Sequence, residues 1–201
     1  MPHFKLPDEY VYWTEIEDHI RIKRELLPVI LDIVKNGCLE NPFKKCTMKT
    51  TINGDYKLLN PEQVGKVVFE PIMKMISEMK VPFFKKLDMN NICVITQWFN
   101  MYEKGDFQEL HDHIFNGKPQ STIIDGKKFE GIFSIVYILH DKSIESSLVF
   151  TDGEVMFDTS NHKDIHEGCV LIFPTSLKHE VKPVTIPGRI TFAFNVSYNF
   201  Q

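Results

Sequence analysis

The chain has 201 residues, of which 43% are hydrophobic and 25% charged, and its formal net charge is −4 at neutral pH. This length suits one domain with a substantial core, and the acidic balance makes nucleic acids and anionic membranes the least favoured partners. No apolar run approaches the roughly 18 residues of a membrane-spanning helix. The first residues lack the apolar core of a secretory signal and the four cysteines form no CxxC pair. The sequence therefore predicts a cytoplasmic protein with reduced thiols.

The first ninety residues are predicted to form a mainly helical flank. Residues 1–13 look extended, and Thr14 followed three residues later by Glu17 predicts a capped helix over 15–36. We expect Pro28 to kink or interrupt this helix, because proline removes a backbone donor and crowds the preceding turn.

A second helix is predicted over 61–79. Asn60 is a suitable cap and Pro61 suits the first helical position. The helix carries a methionine-rich apolar stripe, which is typical of core packing. Between the two helices, residues 38–59 are expected to be irregular, with a hairpin turn at 53–55.

From about residue 90 onward, the apolar residues recur with the period of β-strands. Seven strands are predicted, over 91–102, 107–115, 131–139, 146–151, 168–174, 177–184 and 188–199. Asp125-Gly126 and Asp152-Gly153 are turn signals between them. The pattern predicts a mainly β fold with flanking helices, a sandwich or jelly roll. We expect a single domain over 1–201, with its β core at 91–199.

Three histidines are candidate metal ligands. His111 and His113 are two positions apart on a predicted strand, so both side chains leave the same face and can reach one ion. His179 follows a predicted apolar strand and a proline turn. An HxH pair alone is weak, and surface or hydrogen-bonded histidines are the alternative. Three protein groups on one face of a first-row metal leave positions open for substrate and oxygen, as in non-haem iron oxygenases.

Arg189 is a candidate carboxylate-binding residue. It begins a predicted strand that is otherwise free of charge, and Thr191 shares its face. A guanidinium beside a hydroxyl can hold a carboxylate through charge-assisted hydrogen bonds. The alternative is an arginine at the rim in a surface salt bridge.

Four stretches of the sequence carry motifs that occur in a fixed order along the chain, at 97–113, 133–139, 168–179 and 189–195. They contain a tryptophan strand, a glycine before HxH, an apolar strand with Phe-Pro ahead of a histidine, and a closing strand that begins with arginine. In this combination the chain resembles the 2-oxoglutarate and Fe(II)-dependent oxygenases, in the branch that contains HxH. The similarity covers about residues 91–199.

This resemblance implies a cupin-like double-stranded β-helix that uses Fe(II), 2-oxoglutarate and dioxygen. His111 and His179 match the two histidine ligands, and His113 stands where most of the family has a carboxylate. Arg189 matches the residue that pairs with the distal carboxylate of 2-oxoglutarate, and Thr191 stands where serine is common.

Five further residues are interpreted from the resemblance and their positions. Tyr102 and Gln108 are candidates for the 2-oxoglutarate pocket, with simple packing as the alternative for Tyr102. Asp106 or Asp112 could orient a ligand imidazole. Trp98 is interpreted as core.

The leading functional hypothesis is a dioxygenase that hydroxylates a C–H bond of an unidentified small molecule or protein side chain and releases succinate and carbon dioxide. One alternative is a cupin-like metal protein without 2-oxoglutarate chemistry. The other is a non-catalytic binding module. Arg189 discriminates among them, because a metal site alone has no need of a residue that binds a carboxylate.

Overall fold

The computed structural model describes residues 2–6, 9–36, 39, 48–52, 65–78, 92–115, 117–119, 121–124, 127–142 and 148–198. The strands in these ranges are β1 (His3–Lys5), β2 (Tyr10–Glu15), β3 (Lys49–Thr50), β4 (Ile92–Tyr102), β5 (Gln108–His111), β6 (Ile114–Phe115), β7 (Lys118–Pro119), β8 (Ser121–Ile124), β9 (Lys127–His140), β10 (Leu148–Asp152), β11 (Val155–Asp158), β12 (Cys169–Pro174), β13 (Lys178–Val181) and β14 (Arg189–Tyr198). The helices are α1 (His19–Asn36) and α2 (Glu70–Glu78), and a π-helical turn, Gly65–Phe69, precedes α2.

The larger sheet has eight strands in the order β1-β2-β12-β9-β14-β4-β3, with β8 paired to β9. All of these pairings are antiparallel. Strands β1 to β3 come from the predicted helical flank, so the flank also contributes to the main sheet. In β2, Val11 and Trp13 are buried and alternate with more exposed neighbours, the period expected of a strand with one face in the core.

The smaller sheet has four antiparallel strands in the order β11-β10-β13-β5. Apolar side chains from both sheets fill the space between them, with Trp98 and Leu171 from the larger sheet and Phe150 and Val181 from the smaller. Such a sandwich is mainly β, as the sequence predicts, and its interior is where the candidate site residues converge.

The two helices cover the outer face of the larger sheet. Ile22, Leu26 and Ile30 recur every four residues on α1, and they pack with Ile72 of α2 and Phe194 of β14 in a second buried cluster. Full burial of each such side chain stabilises the fold by about 1.5–3 kcal/mol. Ile30 and Ile72 are therefore part of the contact between the helices and the sheet.

Helix α1 differs from its prediction at both Thr14 and Pro28. Thr14 belongs to β2, where it pairs with Val170, so the predicted cap is wrong and the helix begins at His19. The helix also runs through Pro28 without interruption. Pro28 is exposed, which allows water to bind the carbonyl that proline leaves unpaired.

Other expectations fall partly outside the described residues. The turn signals at 53–55 and 125–126 and the start of the second helix at 61–64 are not among them. The signal at Asp152-Gly153 marks a turn, with Gly153 at φ +60°, and it leads into β11, which was not predicted. Neither of the two described helices combines the length and apolarity that crossing a membrane requires.

The start of α1 is fixed to the β-sandwich by Glu167. Its Oε1 atom accepts hydrogen bonds from His19 Nε2 (3.1 Å) and Lys23 Nζ, and its Oε2 atom accepts from His140 Nδ1 (3.0 Å) and the Asp141 backbone N–H (2.9 Å). Burial raises the pKa of Glu167, but these hydrogen bonds outweigh it and lower the pKa to about 2. The carboxylate is therefore ionised across the physiological range.

Candidate functional site

Three histidine rings meet between the sheets. His111 ends β5 and pairs in register with His179 of the neighbouring β13. The ring centroids lie 4.3 Å apart for His111 and His179, 4.7 Å for His113 and His179, and 5.4 Å for His111 and His113. One nitrogen from each ring lies within 4.8 Å of the other two, so the three imidazoles can bind one ion.

His113 reaches this point by a route that the sequence does not predict. The expected strand over 107–115 ends at His111, and the side chain of Asp112 accepts a hydrogen bond from the backbone N–H of Ile114 (3.0 Å). The backbone N–H of His113 donates to the carbonyl of Thr175 (2.9 Å). The prediction that His111 and His113 converge because they share one face of a strand is therefore wrong in its reason. The convergence of the rings itself is observed.

Backbone carbonyls define the tautomers of two rings. Nδ1 of His111 lies 2.7 Å from the carbonyl oxygen of Glu109, and Nδ1 of His179 lies 2.9 Å from that of Leu177. Because a carbonyl oxygen only accepts, each Nδ1 must carry the proton. The Nε2 atoms of both neutral rings therefore present lone pairs, the form in which imidazole binds metals.

The third ring is oriented by two polar side chains. Nδ1 of His113 lies 2.5 Å from Ser134 Oγ and 2.9 Å from Asn195 Oδ1, and the Ser134 hydroxyl donates to the same Asn195 oxygen (2.8 Å). Because the Ser134 hydroxyl donates to Asn195, both Ser134 Oγ and Asn195 Oδ1 accept from Nδ1 of His113. The Nε2 atom of His113 is therefore also unprotonated. Asp106 and Asp112, interpreted as surface groups or as groups that could orient a ring, accept hydrogen bonds from the backbone N–H groups of Glu103 and Ile114.

Burial keeps the three imidazoles neutral. It lowers the pKa of His111 and, together with the adjacent histidines, lowers the pKa of His179 well below its usual range. Burial and then His111 lower the pKa of His113 to about 3. Neutral nitrogen donors suit Fe, Zn, Cu and Ni ions, and at neutral pH no proton must leave these rings before an ion binds.

A cavity extends from the histidines along β4 and β14. Three register pairs line it in succession: Trp98 with Ala193, Asn100 with Thr191, and Tyr102 with Arg189. The Trp98 ring contacts His113, with centroids 5.2 Å apart, so the first pair marks the histidine end. Four residues of strand span about 13 Å, which places Arg189 at the opposite end.

Arg189 is 1% exposed and has one charged partner. Its Nε atom donates to Asp141 Oδ2 (3.0 Å), whereas its Nη1 atom is buried without a partner among the described residues. The guanidinium carbon lies 5.8 Å from the centre of the Tyr102 ring. The Tyr102 hydroxyl donates to Gln108 Oε1 (3.0 Å), and the Gln108 amide donates to His111 Nε2 (3.1 Å).

Unpaired polar atoms are concentrated at this cavity. Across the described residues, four buried side-chain nitrogen or oxygen atoms lack a partner: Trp98 Nε1, Asn100 Oδ1, Arg189 Nη1 and Ser197 Oγ. The first three residues line the cavity. An unpaired buried polar group costs about 1–3 kcal/mol, so their concentration here fits a cavity that receives a polar ligand.

The seven residues predicted to contact the metal or 2-oxoglutarate all line this cavity: Tyr102, Gln108, His111, His113, His179, Arg189 and Thr191. The polar partners Ser134, Asn195 and Asp141 were not predicted from the sequence, and Trp98 was interpreted as core. Trp98, Asn100 and Tyr102 lie two positions apart along β4. This spacing of three side chains with polar ends is the signal that could have placed Trp98 and Asn100 beside Tyr102 in the site.

No protein-family model matches the chain, and no curated protein matches it. Several solved structures match the chain in fold. The chain has the double-stranded β-helix fold. A Trichoplax adhaerens prolyl hydroxylase in complex with a hypoxia-inducible-factor peptide aligns with a TM-score of 0.59 at 14% identity, over 94% of this chain and 83% of that one.

Two further structures share the fold. HygX from Streptomyces hygroscopicus, solved with nickel, 2-oxoglutarate and hygromycin B bound, aligns with a TM-score of 0.54 at 11% identity, over 94% of this chain and 82% of that one. SnoN, a non-haem α-ketoglutarate-dependent epimerase from nogalamycin biosynthesis, aligns with a TM-score of 0.65 at 9% identity, over 93% of this chain and 77% of that one. At these identities the likeness establishes the common fold.

Proposed function

We propose that this protein is an Fe(II)- and 2-oxoglutarate-dependent dioxygenase. The observation that carries the proposal is one cavity with three imidazole lone pairs at one end and an unpaired, buried guanidinium nitrogen at the other. Bound Fe(II), 2-oxoglutarate and dioxygen would supply the oxidising chemistry, which hydroxylates a C–H bond and releases succinate and carbon dioxide.

His111, His113 and His179 would hold the metal, and the Gln108 amide, which donates to His111 Nε2 in this structure, would release that atom to the ion. Their Nε2 atoms are lone-pair donors whose opposite ring nitrogens are engaged by protein oxygens, the arrangement that orients ligand histidines in metal sites. With neutral imidazoles in place of a carboxylate, the ion keeps its full charge of +2. A dianionic co-substrate therefore matches the site electrostatically.

Arg189 would bind the far carboxylate of the co-substrate, with Thr191 beside it. Asp141 occupies only the Nε side of the guanidinium, so the Nη1 N–H remains as a charge-assisted donor. HygX shares the fold and was solved with both a divalent metal and 2-oxoglutarate, which supports this pairing of ligands here.

One observation favours the rival reading of a metal protein without 2-oxoglutarate. The charge of Arg189 is already compensated by Asp141, and both side chains are buried, so the pair could serve the fold alone. The unpaired Nη1 atom argues against this, because a purely structural arginine gains stability by satisfying all its donors.

We propose a small molecule or a protein side chain as the prime substrate, with nucleic acid least favoured. The shared fold accommodates both classes, since one related structure holds a peptide and another holds hygromycin B. We also propose that residues 1–201 form one domain, because β1, β2 and β3 pair within the same sheet as the later strands, and that the protein is cytoplasmic, as its sequence predicts.

The test is anaerobic titration of 2-oxoglutarate into the Fe(II)-loaded protein, comparing the wild type with Arg189→Lys. Lysine keeps the charge but lacks the planar fork that matches a carboxylate. We expect affinity to fall by roughly ten- to a hundred-fold, the loss of about 1.5–3 kcal/mol in charge-assisted bonding, with Fe(II) affinity unchanged. Arg21→Lys is the matched control, since Arg21 lies on α1 away from the cavity and pairs there with Asp18 and Glu25.

The outcomes separate the three functions. Binding to the wild type that weakens only in Arg189→Lys, with succinate release under oxygen, supports the dioxygenase. Fe(II) binding without 2-oxoglutarate binding supports the metal-only protein. A wild type that binds neither ligand leaves the non-catalytic module.

A further inference from the structure

The proposed function accounts for the unpaired nitrogen of Arg189 but leaves the Trp98 indole unexplained. Trp98 is 3% exposed, and its Nε1 atom is buried without a partner among the described residues. An indole N–H only donates, and burying it without an acceptor is unfavourable. The Trp98 indole therefore needs an acceptor that the described residues do not provide.

The chain contains its own comparison for this residue, because it has two tryptophans. Trp13 is equally buried, at 4% exposure, and its Nε1 atom donates to Asp164 Oδ2 across 2.8 Å. The protein thus satisfies the indole that packs away from the cavity and leaves unsatisfied the one that lines it.

Trp98 lies at the histidine end of the cavity. Its ring meets that of His113 edge-on, with an interplanar angle of 79°. Its register partner on β14 is Ala193, whose side chain is small, and both residues line the cavity. The tryptophan is therefore beside the candidate metal site, two register pairs away from Arg189.

We propose that the Trp98 indole N–H donates a hydrogen bond to the oxo-acid end of the 2-oxoglutarate co-substrate. This inference rests on the proposed function and extends it. Arg189 would hold one carboxylate, and Trp98 would hold the acceptor group at the other end, next to the histidines. The cavity then selects ligands that carry acceptors at both ends, rather than any monocarboxylate that reaches Arg189.

The experiment removes the N–H while preserving the ring. Trp98 is replaced by benzothienylalanine, in which sulfur takes the place of the indole nitrogen, and W98F serves as a second, genetically encoded variant. W13F is the matched control, because it removes the other buried indole and lies outside the cavity. Each protein is loaded with Zn(II), which is diamagnetic, and titrated with 2-oxoglutarate by calorimetry.

We expect 2-oxoglutarate affinity to fall roughly ten- to a hundred-fold when the N–H is removed, the usual range for a hydrogen bond to a charged acceptor. Zn(II) affinity should be unchanged, and W13F should bind 2-oxoglutarate like the wild type. In proton spectra of the wild type, the indole N–H resonance that W98F lacks should move downfield on adding 2-oxoglutarate. The resonance that W13F lacks should stay in place.

Failure of this inference is distinguishable from failure of the proposed function. If the wild type binds 2-oxoglutarate but the Trp98 variants bind it equally well and the resonance does not move, the inference is overturned and the dioxygenase proposal stands. If the loaded wild type binds no 2-oxoglutarate, both are overturned. A variant that is merely less stable yet binds normally shows that Trp98 has only a packing role, which also overturns the inference.

Discussion

The Nε atom of Arg189 donates to Oδ2 of Asp141 across 3.0 Å, although the two residues are 48 positions apart in the chain. Both side chains are almost completely buried, at 1% and 3% exposure. The backbone N–H of Asp141 donates in turn to Glu167, the residue that also binds the start of α1. The guanidinium at the end of the cavity is therefore held through a chain of contacts that leads to the outer helix.

Removing Asp141 should destabilise the fold strongly. Asp141→Ala leaves a buried, uncompensated guanidinium, and breaking such a pair costs about 3–5 kcal/mol. Asp141→Asn keeps an acceptor oxygen and should cost less. Urea denaturation of the two variants measures the difference. The surface pair of Lys182 and Asp158 provides the control, since Lys182 is half exposed and Lys182→Ala should cost at most about 1 kcal/mol.

His179→Ala should abolish retention of a first-row metal. It removes the most deeply buried of the three Nε2 donors, and two remaining imidazoles hold an ion far more weakly than three. We expect a loss above about a hundred-fold, since even changes to groups behind the ligands cost roughly ten- to a hundred-fold. Metal content after dialysis measures it. His166→Ala, at an exposed histidine, should retain metal like the wild type.

Asn195 should affect metal affinity without touching the metal. Asn195→Ala removes the oxygen that accepts from His113 Nδ1, so the tautomer and orientation of that ring are less constrained. We expect metal affinity to fall by roughly ten- to a hundred-fold. Ser197→Ala is the control on the same strand, because Ser197 Oγ is buried without a partner among the described residues. Equal affinities in the two variants would contradict the role assigned to Asn195.

The metal-free protein should lose stability as the pH falls below about 6.5. In the unfolded chain His113 has a pKa of about 6.5, whereas burial and the neighbouring His111 lower it to about 3 in the folded protein. Between these values the unfolded state binds more protons, so the stability is fully present above the higher pKa and declines toward the lower one. The contribution of His113 is on the order of 1.4 kcal/mol per pH unit.

Denaturation of chelator-treated protein between about pH 5 and 7 checks this slope. His113→Asn keeps a donor near Asn195 but does not titrate, so its stability should vary less steeply with pH. His179, whose pKa burial also lowers, should leave part of the slope in that variant. A wild-type stability that is constant over this range would show that protonated histidines are tolerated in the cavity.

Predictions from sequence succeeded where a local pattern carries physical information. Period-two runs predicted most of the strands from β4 onward, and an apolar series from Ile16 to Val34 predicted α1, although the side chains that this helix buries include Ile22, Leu26 and Ile30. They failed where tertiary contacts override a local signal. Thr14 has the spacing of a helix cap, yet pairing with Val170 in the larger sheet holds it in a strand.

The sequence by itself determined the chemical inventory of the site: three imidazoles, a guanidinium and a neighbouring hydroxyl, in an order and spacing that resemble one oxygenase family. It could not determine which groups orient them. Asp141, Ser134 and Asn195 are ordinary polar residues in or beside strands, and the long-range strand pairing that brings them to Arg189 and His113 has no local signature. The tertiary structure decided the tautomers, the burial that keeps the rings neutral and the unpaired nitrogen of the guanidinium. The physical reason is that each of these depends on which buried atoms lie within hydrogen-bonding distance, and only the packing of the two sheets sets those distances.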